Sequence, residues 1–145
     1  MELAWMVAAM EGKDTRETYG LLQELERLSE ESDVLYPWVD RFAALAERGR
    51  GGARVRGFRL LCRQARWDDE GAVDRVLDGA LSILQEERPT AVRQALAALG
   101  DLVPYKPALW PLVRRRVLEI DPLRYRDTMR PLLERDIRGL LERMA

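Results

Sequence analysis

Histidine is absent from this chain of 145 residues. That removes the commonest general base and the commonest metal ligand. Cysteine occurs once, as Cys62, which excludes an internal disulfide and suits a reducing, cytoplasmic setting. Lysine occurs only as Lys13 and Lys106, so the other 22 of the 24 basic side chains are arginine. Long apolar runs are missing too. The longest, Ala4 to Met10, is far short of the ~20 residues a membrane-spanning helix needs. Glu2 follows the first Met with no basic stretch ahead of that run, so no secretory signal is expected. A chain that is 47% hydrophobic and 34% charged fits neither disorder nor a membrane protein, and its length suits a single domain over 1–145.

Charge is balanced in total and uneven along the chain. Residues 1–47 hold 4 basic and 11 acidic side chains, a net −7; residues 48–145 hold 20 and 14, a net +6. The chain therefore has an acidic first third and a basic remainder. The preference for arginine accompanies many Ala- and Gly-rich compositions and is not by itself a nucleic-acid signal.

The sequence matches itself at a spacing of 37 residues. Leu21, Phe58, Ala95 and Leu132 share one column; Leu25, Cys62 and Leu99 share the next, which Asp136 breaks. Leu28, Ala65 and Leu102 follow, then Val39, Val76 and Val113, then Ala43, Ala80 and Val117, then Ala46, Ile83 and Ile120. Apolar character at a fixed period in this range is the mark of stacked repeats. Helical spacing runs through each unit twice: Val92, Ala95, Leu99 and Leu102 form one stripe, and Val73, Val76, Ala80, Ile83 and Leu84 another. Thr90 is placed to cap the first and Asp68 to Glu70 to start the second. No segment alternates with period two, so no sheet is expected. Helices are predicted over 15–30, 34–47, 53–67, 71–86, 90–103, 107–120 and 125–143, with a short one within 1–11. Such hairpins cannot bury their apolar faces singly, so the expected fold is all-α, an α-solenoid of about four helical hairpins.

These residues carry a family likeness. A turn, then Val-Arg, then apolar positions three and seven after the Val resembles the second helix of a HEAT repeat, best seen in Pro89-Thr90-Ala91-Val92-Arg93-Gln94-Ala95. The whole chain resembles a group of short bacterial HEAT-repeat, armadillo-like proteins often labelled "SufBD protein". The likeness lies in Leu35-Tyr36-Pro37, Val55-Arg56-Gly57-Phe58-Arg59-Leu60, Ala65-Arg66-Trp67-Asp68, Pro89 to Gln94 and Tyr105-Lys106-Pro107. The resemblance implies the fold. The label implies iron–sulfur assembly, yet one cysteine and no histidine cannot supply the four ligands of a cluster.

Two sets of arginines are the candidate site residues. Arg56, Arg93 and Arg130 share a column with Tyr19, and the HEAT resemblance implies that this arginine ties neighbouring turns together, making Arg93 and Arg130 a structural ladder. Arg56, Arg59, Arg63 and Arg66 lie within an ~80° stripe of one helix, inside a segment, 48–66, with seven arginines and no acid. The repeat does not require them: Arg59 stands where Leu22, Leu96 and Leu133 stand, Arg63 with Glu26, Gly100 and Ile137, and Arg66 with Ser29, Val103 and Leu140. Either they pair with Glu24, Glu26, Glu30 or Glu31 of the acidic third, or they form a docking surface for an acidic peptide or a phosphate.

Other features have plainer readings. Trp67-Asp68 resembles, over two residues, the tryptophans and aspartate of HEAT-like DNA alkylation-repair glycosylases; otherwise Trp67 packs between repeats while Asp68 or Asp69 caps a helix. Gly49-Arg50-Gly51-Gly52 could present amides to an anion but lacks the ending of a P-loop. Tyr36, Val73 and Trp110 share a column as inter-repeat core, and Cys62 reads as a small buried hydrophobe. No catalytic, metal or cofactor residues are assigned. The expected function is a non-enzymatic scaffold gripping a protein or peptide on a concave face, an acidic one if the 56–66 stripe is used; the alternative is nucleic-acid binding, and no membrane association is expected.

Overall fold

The computed structural model describes residues 2–145, and among them the secondary structure is helical throughout. The helices are α1 (Glu2–Ala9), α2 (Arg16–Glu31), α3 (Val39–Arg48), α4 (Gly52–Arg63), α5 (Ala72–Ala80), α6 (Pro89–Leu99), α7 (Trp110–Leu118) and α8 (Arg130–Arg143). Short 3₁₀ turns extend or precede five of them: Tyr36–Trp38, Gln64–Trp67, Leu81–Gln85, Pro107–Leu109 and Pro122–Arg124. Among the described residues no helix is long and apolar enough to cross a membrane.

Local chemistry sets the boundaries. Thr15 caps α2, its Oγ1 accepting from the Thr18 amide at 3.0 Å. Proline opens α6: Arg88 is the flanking residue and Pro89 the first helical one, where a missing N–H costs nothing, so Thr90 lies inside the first turn and caps nothing. The last predicted helix, 125–143, is shorter than expected. Arg130 donates to the Tyr125 carbonyl at 2.8 Å, and Tyr125 sends its hydroxyl to the Glu86 carbonyl at 2.6 Å, holding 125–129 as a turn ahead of Pro131.

The helices lie in two rows. In one, α2 packs on α4, α4 on α6 and α6 on α8; in the other, α3 packs on α5, and the turn Leu81–Gln85 packs on α3 and α7. The rows meet most closely between α3 and α4. There Gly57 is required: a Cβ on it would come within 2.8 Å of the Leu45 side chain and the Phe42 carbonyl oxygen. One continuous core runs from Val7 to Met144. The repeat columns fill it. Phe58, Cys62, Leu99, Ala95, Leu102, Val113, Ala80, Val117, Ala46 and Ile83 have no exposed surface.

The 37-residue spacing also appears as hydrogen bonds between neighbouring units. Trp67 Nε1 donates to the Ser29 carbonyl at 2.7 Å, Arg88 to Gly51 at 3.0 Å, Lys106 to Asp68 at 3.1 Å, and Arg116 to Asp78 at 3.0 Å. Each links positions 37 or 38 residues apart.

Candidate functional site

The arginine stripe on α4 is paired. Arg59 takes Glu26 in a fork, Nε and Nη2 donating to the two carboxylate oxygens at 2.9 and 2.8 Å, and reaches Gln94 on α6 with Nη1 at 3.0 Å. Arg63 donates to Glu30 at 2.6 Å, while its buried Nε sits 3.8 Å from both Glu26 and Asp101 without a hydrogen-bond acceptor. Arg66 donates to the Glu30 carbonyl at 3.2 Å and lies over the Tyr105 ring, 5.3 Å from its centroid. Arg56 is buried. Its guanidinium donates to the carbonyls of Met10 (3.0 Å) and Gly12 and to the Asp14 carboxylate (2.6 Å), which makes it a strut beneath the turn between α1 and α2. Two of the four acids named from sequence, Glu26 and Glu30, are the partners; Glu24 and Glu31 instead bind Arg27 on their own helix.

The arginine column diverges in use. Arg93 bridges α6 to Asp136 on α8 at 2.6 Å, and Arg130 holds its own preceding turn through the Tyr125 and Leu123 carbonyls. Only Arg56 and Arg93 reach another helical unit. Asp14 also accepts from the Gly52 amide at 3.3 Å, so the anion at the start of α4, beside the glycine-rich turn, is the protein's own carboxylate. The Arg56 hydrogen bond keeps that carboxyl below its ordinary pKa.

Trp67 and Asp68 both face inward. Asp68 has no exposed side-chain surface; its oxygens accept from the Ala72 and Val73 amides at 2.9 Å each, from the Tyr36 hydroxyl, and from Lys106 at 2.9 Å. Burial alone would raise its pKa, but the bonds from Tyr36, Lys106 and the two amides outweigh that and hold it ionised, well below the usual carboxylate range. Lys106 also pairs with Asp74 at 2.7 Å. Burial, with Asp68 beside it, pushes the Tyr36 hydroxyl above the ordinary tyrosine value. Asp68 thus starts α5 and pins it to the turns before α3 and α7. Burial likewise pushes up the Cys62 thiol. Among the described residues no cluster of three or more His, Cys, Asp or Glu side chains could hold a metal ion.

What remains open is a trough along the row α2, α4, α6 and α8. Three hollows of about 250, 260 and 360 Å³ adjoin one another, the first two sharing Arg59 and Gln94, the last two sharing Ala97. Small side chains keep it shallow: Ala97 is exposed, and a Cβ on Gly139 would meet nothing within 4 Å. Its lining holds seven arginines (56, 59, 63, 88, 93, 135 and 143) against four carboxylates (14, 26, 101 and 136), a net +3. Tyr19 is exposed at one end, and Arg135, with no acid paired to it among the described residues, lies at the other. Neither Arg135 nor Ala97 carries a signal in the sequence, because only the side-by-side packing of α6 and α8 brings them to one surface. Compared with known proteins, the chain matches no family model, no curated protein and no solved structure.

Proposed function

We propose that the chain is a short α-solenoid of HEAT-like hairpins that binds a segment of a partner protein in the trough and performs no chemistry. The stacked reading is supported by the two rows and by the hydrogen bonds that recur every 37 or 38 residues. The binding reading is carried by one observation: three adjoining hollows cross four helices with a lining of seven arginines and four carboxylates. An acidic segment fits that sign. Because Arg59 and Arg63 are already engaged by Glu26 and Glu30, and Gln94 by Arg59, the contacts offered to such a segment centre on Arg135, Ala97 and Tyr19. A buried lone thiol suits a cytosolic site of action.

The test is capture from native lysate by tagged protein, with and without nuclease, beside an Ala97→Glu/Arg135→Glu variant of unchanged helicity. We expect a nuclease-resistant protein that the variant loses. Equal capture by the variant would move the site off the trough. Captured material that vanishes with nuclease, and whose binding falls steeply with salt, would favour nucleic acid instead.

A further inference from the structure

Both ends of the two-row stack leave exposed the residues that its interior buries. Leu118, at the end of α7, shares a column with Val7, Ala44 and Leu81 at the 37-residue spacing. Leu81 has no exposed surface, and α7 packs on its turn, whereas Leu118 is 60% exposed. Leu118 borders an apolar groove of about 460 Å³ between α7 and α8, with Ile120, Ile137 and Leu141 beside it. Ile137 stands in the column of Glu26 and Arg63, which inside the stack form ion pairs, so on α8 an apolar strip of Ile137 and Leu141 runs beside the polar edge Glu134, Arg138 and Glu142.

The opposite end mirrors this. Trp5 shares its column with Phe42; Phe42 is 1% exposed and Trp5 59%. All of α1 except Glu2 is apolar, and an all-apolar helix belongs under cover. Leu21 is only partly buried, while Phe58 and Ala95 in the same column are fully so.

We infer that a second copy of this chain covers the α7–α8 groove with its α1, continuing the stack head to tail. The occupant follows from two observations. Within the molecule, the Leu81 turn after α5 is covered by the next helix of its own row, α7, and α1, whose columns are those of α3 and α7, is the helix of that row that a following copy brings. Charge selects the same pairing. Residues 1–33 hold 3 basic and 9 acidic side chains, net −6, and residues 107–145 hold 9 and 6, net +3. Unlike ends therefore attract while the acidic ends repel each other, which disfavours a two-fold dimer through α1. Such a head-to-tail contact leaves one free end of each kind and so can propagate. The inference rests on the stacked-hairpin reading above.

Sedimentation equilibrium over a concentration series tests it, with the parent chain, Trp5→Glu, Leu118→Glu and an equal mixture of the two variants. The parent is expected to gain mass with concentration beyond a dimer. Each variant alone is expected to associate more than about tenfold more weakly. The mixture is expected to form a dimer and stop there, because it retains one intact pair of ends. A parent that stays monomeric throughout, or a mixture that fails to associate where the parent does, overturns the proposal. The parent series needs no variant to fold, and the Ala97→Glu/Arg135→Glu trough variant should assemble like the parent, so the two readings fail separately.

Discussion

Arginine at one repeat position does different work depending on what surrounds it. Arg56 is enclosed and donates to two turn carbonyls and to the Asp14 carboxylate, whereas the Arg93 side chain is 37% exposed and meets one carboxylate. Removing a guanidinium from an enclosed hydrogen-bond set leaves its acceptors unpaired, while a water-accessible ion pair contributes little. Arg56→Met is expected to cost about 2–3 kcal/mol in urea unfolding. Arg93→Met should cost less than about 1 kcal/mol. Equal losses at the two positions would mean that the column, and not burial, sets their worth. The Val-Arg dipeptide marks both positions in the sequence; it does not reveal that α8 offers an aspartate to one and the α1–α2 turn offers carbonyls to the other.

At the scale of the element, helix contact distance is set by glycine. Gly57 lets α4 approach α3 until backbone meets side chain, and an added methyl would lie 2.8 Å from the Leu45 Cβ and 2.9 Å from the Ala46 nitrogen. Gly57→Ala must push the two helices apart or force a clash, and we expect a loss of about 2–4 kcal/mol. Gly139 is also inside a helix, but nothing lies within 4 Å of its Cβ position. There the same change only restricts the unfolded chain and favours helix, so Gly139→Ala should stabilise by about 0.5–1 kcal/mol. Thermal melts of the two variants decide it. The helical periodicity that placed most elements correctly is blind to this difference, because both glycines look alike along the chain. The same blindness explains the late start of α8: Tyr125 has helical company in the sequence, but its hydroxyl is drawn to Glu86 and its carbonyl to Arg130.

For the whole molecule, pH dependence follows from the same contacts. With no histidine, no side chain of ordinary pKa titrates between about pH 5 and about pH 8. Asp68, Asp14 and Glu86 all have lowered values in the folded protein; Arg54 holds Glu86 at 2.7 Å against the opposing effect of burial. A lowered carboxyl pKa means the unfolded chain binds protons first, so the stability these groups contribute is complete above about pH 5 and is lost as the pH falls below about 4. Cys62 works in the other direction. Burial raises its thiol, so above about pH 8.5 only the unfolded chain ionises and stability declines by up to about 1.4 kcal/mol per pH unit. Unfolding free energy measured against pH should therefore show a plateau with two shoulders, and Cys62→Ala should remove most of the first alkaline decline. A slope through the plateau would sink this assignment.

Periodicity and composition alone determined that the chain is all-helical, where most helices lie, and that it repeats every 37 residues. These are local properties: apolar spacing, proline position and capping residues act within a few residues of one another. The sequence also narrowed the arginine stripe to two fates, pairing with acid or docking. Only the tertiary structure chose between them, because Glu26 and Glu30 must be brought across the α2–α4 contact to meet Arg59 and Arg63. The trough and the two apolar ends were invisible for the same reason. Arg135, Ala97, Trp5 and Leu118 acquire meaning only from which helices lie beside them and which do not.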